Sequence, residues 1–142
     1  MSTIGFDTSN YTTSTAWTDG KTDINVRQIL YVKDGERGIR QSDGVFQHMK
    51  LMPVIYEKLS EQIDFKDVKA VGVSTRPRCV EGSYMPVFLA GEGYAKVVAN
   101  TLGVPLYEFS HQDGHIMAGI YSSGYFELLE NDFISVSYTH LT

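Results

Sequence analysis

Val68 to Thr75 (VKAVGVST) is a nearly continuous apolar run rich in β-branched residues. A strand of this kind is buried on both faces, the position that a parallel sheet covered by helices provides. The flanking sequence supplies the cover. Upstream, Val45, Met49, Met52, Tyr56, Leu59 and Ile63 recur at helical spacing and predict a helix of several turns. Ser42 or Asp43 is its expected cap, and Pro53 is expected to kink it. Downstream, Ser83 is read as the start of a second helix, with Pro86 in its first turn. Ala90, Gly91, Gly93 and Ala95 keep one side of that helix small enough to pack close to a sheet. Gly103 and Pro105 stop it. Val104 to Phe109 is the next strand, a helix carrying His115 follows, and Phe133 to Ser137 begins another strand.

The chain before these units reads as an antiparallel meander. Thr3–Thr8 and Thr12–Trp17 are hairpin partners around Ser9-Asn10-Tyr11, and Asn25–Val32 is a third strand. The order is therefore β-β-β-α-β-α-β-α-β. It fits an α/β layer fold with a mixed sheet resembling ribonuclease H, the lobe from which actin-like and sugar-kinase-like ATPases are built.

The 142 residues suffice for one domain with a real core, and 42% hydrophobic with 20% charged residues is ordinary globular material. No apolar run approaches the roughly 20 residues that span a bilayer, and the opening MSTIGFDTSN lacks the regions of a signal peptide. The single cysteine, Cys79, cannot form an internal disulfide, which fits a cytoplasmic protein. A net charge of −5 gives the chain no general attraction for nucleic acid, so any RNA contact needs a local basic patch or a partner.

In open sheets of this kind ligands gather at the carboxyl ends of the strands. Three candidate segments fall there. His111 and His115 are four residues apart, a spacing that on a helix puts both imidazoles on one face within reach of a divalent ion. The same spacing serves a capping, hydrogen-bonding pair, and two ligands alone do not complete a site. Asp7-Thr8-Ser9-Asn10 sits where the first strand turns back. Its amides and hydroxyls suit a phosphate, and Asp7 could reach a metal through water. A simple Asx or Ser/Thr turn needs no ligand and is the favoured reading of the motif taken alone. Arg76 and Arg78 at the end of the apolar strand suit a phosphate or carboxylate, or form a solvated turn paired with Glu81. Cys79 lacks an assignable base and reads as a packing residue. His48 reads as partly exposed beside a core position at Met49. Zinc peptidases use H-E-x-x-H, and Gln112 stands where their general-base glutamate would be.

With these residues in view, the chain resembles the TsaD family, the threonylcarbamoyl-adenosine tRNA-modification proteins formerly called O-sialoglycoprotein endopeptidases or glycoproteases. Ile4-Gly5-Phe6-Asp7-Thr8-Ser9 is similar to the family's opening strand and E-T-S turn. Gln47 to Pro53 (QHMKLMP) is similar to its histidine-bearing helix with an internal proline. His111-Gln112-Asp113-Gly114-His115 is similar to its H-x-E-G-H metal motif and is the most specific match. The resemblance implies a two-lobed actin-like ATPase fold that binds ATP or an adenylate. It implies a divalent metal, iron or zinc, held by His111, His115 and an aspartate of the second lobe. It also implies threonylcarbamoyl transfer to tRNA adenosine, with partner proteins and a hetero- or homo-oligomer.

The chain departs from the family pattern in places. Arg76-Pro77-Arg78 replaces a glycine-proline-glycine loop, Cys79 to Pro86 differs, and Asn10-Tyr11 replaces a cysteine and an acidic residue. These departures mark a divergent paralogue. Residues 1–137 are expected to form the first lobe, and Tyr138–Thr142 reads as an artefactual, adapter-like tail. On that reading the lobe alone is inactive. The competing reading is a non-catalytic partner module with an assembly surface around Tyr121, Tyr125 and Phe126. A small-molecule kinase of the same superfold and a metallopeptidase are weaker alternatives.

Overall fold

The computed structural model describes residues 1–36, 38–78, 82 and 85–124. β1 (Ser2–Asp7), β2 (Thr12–Thr18) and β3 (Asp23–Ile29) come first. α1 (Gln41–Ser60), a short 3-10 turn (Phe65–Asp67), β4 (Val68–Arg76), α2 (Phe88–Leu102), β5 (Leu106–Ser110) and α3 (His111–Ser123) follow. The five strands form one sheet in the order β3-β2-β1-β4-β5. The β1–β2 and β2–β3 pairs are antiparallel, whereas β4 lies between β1 and β5 and is parallel to both. The apolar run thus occupies the interior parallel position expected of it, but only one of its faces is fully buried: Val68, Val71 and Val73 are buried, whereas Lys69 is exposed and Ala70 and Gly72 are half-buried. The anticipated last strand, Phe133 to Ser137, and the tail lie outside the described residues, as do Cys79, Glu81, Ser83, Tyr125 and Phe126. Among the described residues no helix is long and apolar enough to cross a membrane.

The core forms where α1 and α2 lie on one sheet face. Ile4 and Phe6 of β1 and Val71 and Val73 of β4 meet Met52, Ile55 and Leu59 of α1 and Ala95 and Ala99 of α2. Each large side chain removed from water here contributes about 1.5–3 kcal/mol.

The buried stripe of α1 is Gly44, His48, Met52, Ile55 and Leu59. This is a different register from the anticipated one, because Met49 is 52% exposed and Ile63 lies beyond the helix end. A side chain the sequence marks as polar sets the register. His48 is fully buried, not partly exposed, and hydrogen-bonds inward to the hairpin. Gly44 lets the helices approach, since a Cβ there would sit 2.8 Å from Val87 Cγ1. The helix begins at Gln41 behind an extended Arg40 that offers no side-chain cap, so Ser42 and Asp43 fall inside the first turn.

α1 continues through Pro53. Proline has no N–H for the carbonyl four residues back, at Met49. The Tyr94 hydroxyl of α2 donates to that carbonyl at 2.7 Å and replaces the lost bond. α2 itself starts at Phe88 rather than Ser83. Pro86 belongs to the preceding turn, where Phe88 N–H reaches Met85 O and Leu89 N–H reaches Pro86 O. Its small residues are used unequally. Ala90, Gly91 and Ala95 are buried, whereas nothing lies within 4 Å of a Cβ built on Gly93. The helix ends at a left-handed Gly103 (φ 66°), with Val104 N–H returning to Ala99 O in the manner of a Schellman motif.

The Tyr94–Met49 bond is expected to matter only because of Pro53. Tyr94→Phe should cost about 1 kcal/mol or less by urea denaturation. In a Pro53→Ala background, where the backbone regains an N–H to serve Met49 O, that cost should largely vanish. Equal costs in both backgrounds would show that the bond has another role.

Candidate metal centre

Because β1, β4 and β5 are parallel neighbours, their carboxyl ends share one edge of the sheet. Asp7 closes β1, Ser74 and Arg76 close β4, and Ser110 closes β5 and leads into α3. The β4–β5 register shifts between Ser74 and Arg76, an irregularity of the kind that re-aims side chains at sites. The Ser110 hydroxyl, fully buried, accepts the Asp113 N–H at 3.0 Å and caps α3. Gln112 N–H reaches Pro77 O at 3.1 Å, so the Arg76-Pro77-Arg78 loop holds the start of the same helix.

The carboxylate of Asp7 organises the edge. Its Oδ1 accepts the Ser9 N–H at 2.7 Å, closing the Asx turn that the sequence allows. Its Oδ2 accepts the Ser74 hydroxyl at 2.8 Å and lies 3.0 Å from His111 Nδ1. The Ser9 hydroxyl is also 3.0 Å from His111 Nδ1. An ionised carboxylate only accepts, so Nδ1 of His111 carries a proton. Its other nitrogen, Nε2, faces Nε2 of His115 at 2.8 Å, with the two rings edge to face. The i, i+4 spacing thus brings the pair together on one face of α3.

Electrostatics follow from these contacts. Burial pushes the Asp7 carboxyl up, but the hydrogen bonds from His111 and Ser9 and the charge on His111 outweigh it and leave it below the usual value. The bond to Asp7 holds His111 above the usual imidazole value, against the opposing effect of burial.

The donor set fits a divalent ion in part. Two imidazole nitrogens converge, and a carboxylate fixes the tautomer and orientation of one of them, as is common around metal-bound histidines. Among the described residues no group of three or more His, Cys, Asp or Glu side chains is placed to hold an ion, so further ligands would have to come from elsewhere. Both Asp7 oxygens are occupied, which suits Asp7 to orienting His111.

The other candidate residues separate. The Thr8 hydroxyl points under α2, donating to Val87 O at 2.8 Å and accepting Gly91 N–H at 3.0 Å. Asn10 is left-handed (φ 48°), and its carbonyl faces His48 Nε2 at 3.2 Å. Arg76, half-buried, donates to Thr75 Oγ1 at 3.1 Å, and Arg78 is exposed nearby in sequence. Sequence reading missed Ser74. Its signal was a hydroxyl residue in the carboxyl half of an otherwise apolar strand.

The ion pair carries a pH signature. A raised His111 pKa contributes stability that is full below its unfolded value and lost as pH rises through the folded one. The lowered Asp7 pKa contributes stability present above its unfolded value and lost as pH falls. The pair therefore helps most between about pH 4 and 6.5. The stability deficit of His111→Gln in the metal-free chain should be larger at about pH 5.5 than at about pH 8.5. A deficit independent of pH, in paired denaturation curves, would contradict the pairing.

Comparison with known proteins places this geometry in context. No family profile matches the chain. The tRNA N6-adenosine threonylcarbamoyltransferase of Pyrobaculum calidifontis is 28% identical over 123 residues, covering 85% of this chain and 35% of that protein. The enzyme of the same name from Clostridium kluyveri is 36% identical over 74 residues, covering 51% of this chain and 20% of its own length. That of Christiangramia forsetii is 31% identical over 88 residues, 61% of this chain and 24% of its own length. The chain thus spans about a third or less of these relatives. Among solved structures, YeaZ from Pseudomonas aeruginosa superposes with a TM-score of 0.55 at 15% identity, over 78% of this chain and 43% of its own. A further P. aeruginosa protein, described as similar to peptidase YEAZ, gives 0.56 at 14% identity, over 77% and 43%. The chain therefore shares the ribonuclease H-like, actin-like fold of these structures, and by sequence it is similar to the tRNA N6-adenosine threonylcarbamoyltransferases.

Proposed function

We propose that this chain contributes the metal-holding lobe of a protein acting in threonylcarbamoylation of tRNA adenosine. The observation that carries the reading is the convergence of His111 Nε2 and His115 Nε2 beside an Asp7 carboxylate that fixes His111. On this reading His111 and His115 hold iron or zinc, and Asp7 orients His111. When bound, the ion supplies Lewis-acid polarisation of a carbonyl or carbamate oxygen. A nucleotide, ATP or an adenylate, lies along the same edge. There the Asp7–Asn10 turn offers the backbone groups not held by Asp7 or His48, the Ser9 hydroxyl offers its proton, and Arg76 and Arg78 offer positive charge. The Thr8 hydroxyl is already engaged with α2 and contributes through its backbone alone.

The rest of the reading follows from the activity for which the relatives are named. tRNA is reached through partner proteins, because this chain carries net negative charge. Assembly as a hetero- or homo-oligomer and a cytoplasmic setting belong to the same reading. The lobe binds and orients. Catalysis requires groups beyond those described.

Metal analysis of the purified chain tests the proposal. With two ligands supplied here, wild-type protein should bind zinc or ferrous ion weakly, reaching one per chain only with the ion in excess. His111→Ala and His115→Ala should abolish that uptake, and Asp7→Asn should weaken it by about 10–100-fold. Metal content unchanged in both histidine variants would remove the site.

A further inference from the structure

His48 belongs to no part of the site described above, yet it is one of the largest fully buried side chains in the protein. It sits in the middle of the buried stripe of α1, between Gly44 and Met52. Both ring nitrogens are engaged. Nε2 lies 3.2 Å from Asn10 O, and a carbonyl only accepts, so Nε2 carries the proton. Nδ1 is then bare in the neutral ring and accepts the Thr13 hydroxyl at 2.7 Å. Burial holds the ring below the usual imidazole value, against the opposing effects of Asn10 O and the Asp7 charge.

These two bonds grip the turn that presents Ser9 and Asp7. Asn10 is the one left-handed non-glycine residue among those described (φ 48°), a conformation that asparagine tolerates better than most side-chain-bearing residues but that still needs contacts to fix it. His48 grips the turn at Asn10 O and at Thr13, on either side of Tyr11, while Leu30 N–H holds Tyr11 O at 2.7 Å. One residue before Asn10, Ser9 uses its N–H on Asp7 and its hydroxyl on His111. Asn10 follows Ser9 directly, so the conformation of Asn10 bears on the two bonds that Ser9 makes.

We propose that His48 is a positioning residue: from α1 it locks the left-handed turn at Asn10 and thereby sets the Asp7–Ser9 frame that orients His111. The consequence for metal binding rests on the metal reading above, whereas the consequence for His111 geometry does not. His48 touches neither ligand histidine in any contact described. It acts through the chain His48, Asn10, Ser9, Asp7, His111.

The test has two readouts on the full chain. The first is long-range proton–nitrogen NMR of the His111 ring in metal-free protein, at a pH where the ring is neutral. Wild type should show the Nδ1-protonated tautomer. The second is Co²⁺ titration. His48→Leu should lose the tautomer preference at His111 and weaken Co²⁺ binding by about 10-fold or more. His48→Gln, which keeps one donor and one acceptor, should restore both to within about threefold of wild type, a difference of well under 1 kcal/mol. Ile55→Val removes core volume from the same helix without touching the turn and should move neither readout. Should His48→Leu fail to fold, Thr13→Val, which removes only the Nδ1 partner, should shift both readouts part of the way. Wild-type tautomer and affinity in folded His48→Leu, or in Thr13→Val if that variant alone folds, would overturn the proposal. Should wild type bind no Co²⁺, the metal reading fails and the tautomer readout alone decides the role of His48.

Discussion

β4 hydrogen-bonds in parallel to β1 on one side and to β5 on the other, and the candidate site exists because of that pairing. Parallel neighbours end on the same edge. Asp7, Ser74 and the start of α3 come from segments far apart in sequence, yet the pairing leaves their side chains only a hydrogen bond apart. Antiparallel addition of β5 would have sent His111 to the opposite edge. The central strand can sit between two parallel partners because Val68, Val71 and Val73 are buried.

Burial and polarity are then reconciled by hydrogen bonding rather than by exposure. Thr8, Thr13, His48 and Ser110 are all fully buried, and each has a partner. Thr8 reaches the first turn of α2 only because Gly91 has no side chain. A Cβ there would lie 3.0 Å from Thr8 Oγ1, tighter than ordinary contact. Close approach of α2, the hairpin turn and the carboxylate frame are thus parts of one packing arrangement. Unpairing any of these buried polar groups costs about 1–3 kcal/mol, which in a domain of this size is a sizeable share of the total.

Much of the architecture could be read from the residues. The meander, the parallel run at Val68–Arg76 and the helix after His111 all follow from hydrophobic periodicity and turn chemistry. The gathering of three segments on one edge followed from strand order alone. The face of α1 did not, because periodicity assigns apolar residues inward and His48 counts as polar. Only its hydrogen bonds to Thr13 and Asn10, contacts across 35 and 38 residues, explain its burial. The start of α2 is not legible for a related reason. Serine and proline are good helix openers, but here Met85–Val87 form a turn first, and the Thr8 hydroxyl, 79 residues away from Val87, bridges Val87 O and Gly91 N–H. Long-range partners of this kind leave no local trace in a sequence.

The central claim is that Asp7 holds His111 so that its Nε2, with that of His115, receives an ion. Anomalous X-ray diffraction at the zinc edge from zinc-soaked crystals of the chain tests it directly. The account predicts one peak bonded to Nε2 of both histidines, with Asp7 still hydrogen-bonded to Nδ1 of His111. A site empty at full zinc loading, or an ion taken by Asp7 and Nδ1 with the Nε2 atoms left unbound, would contradict it.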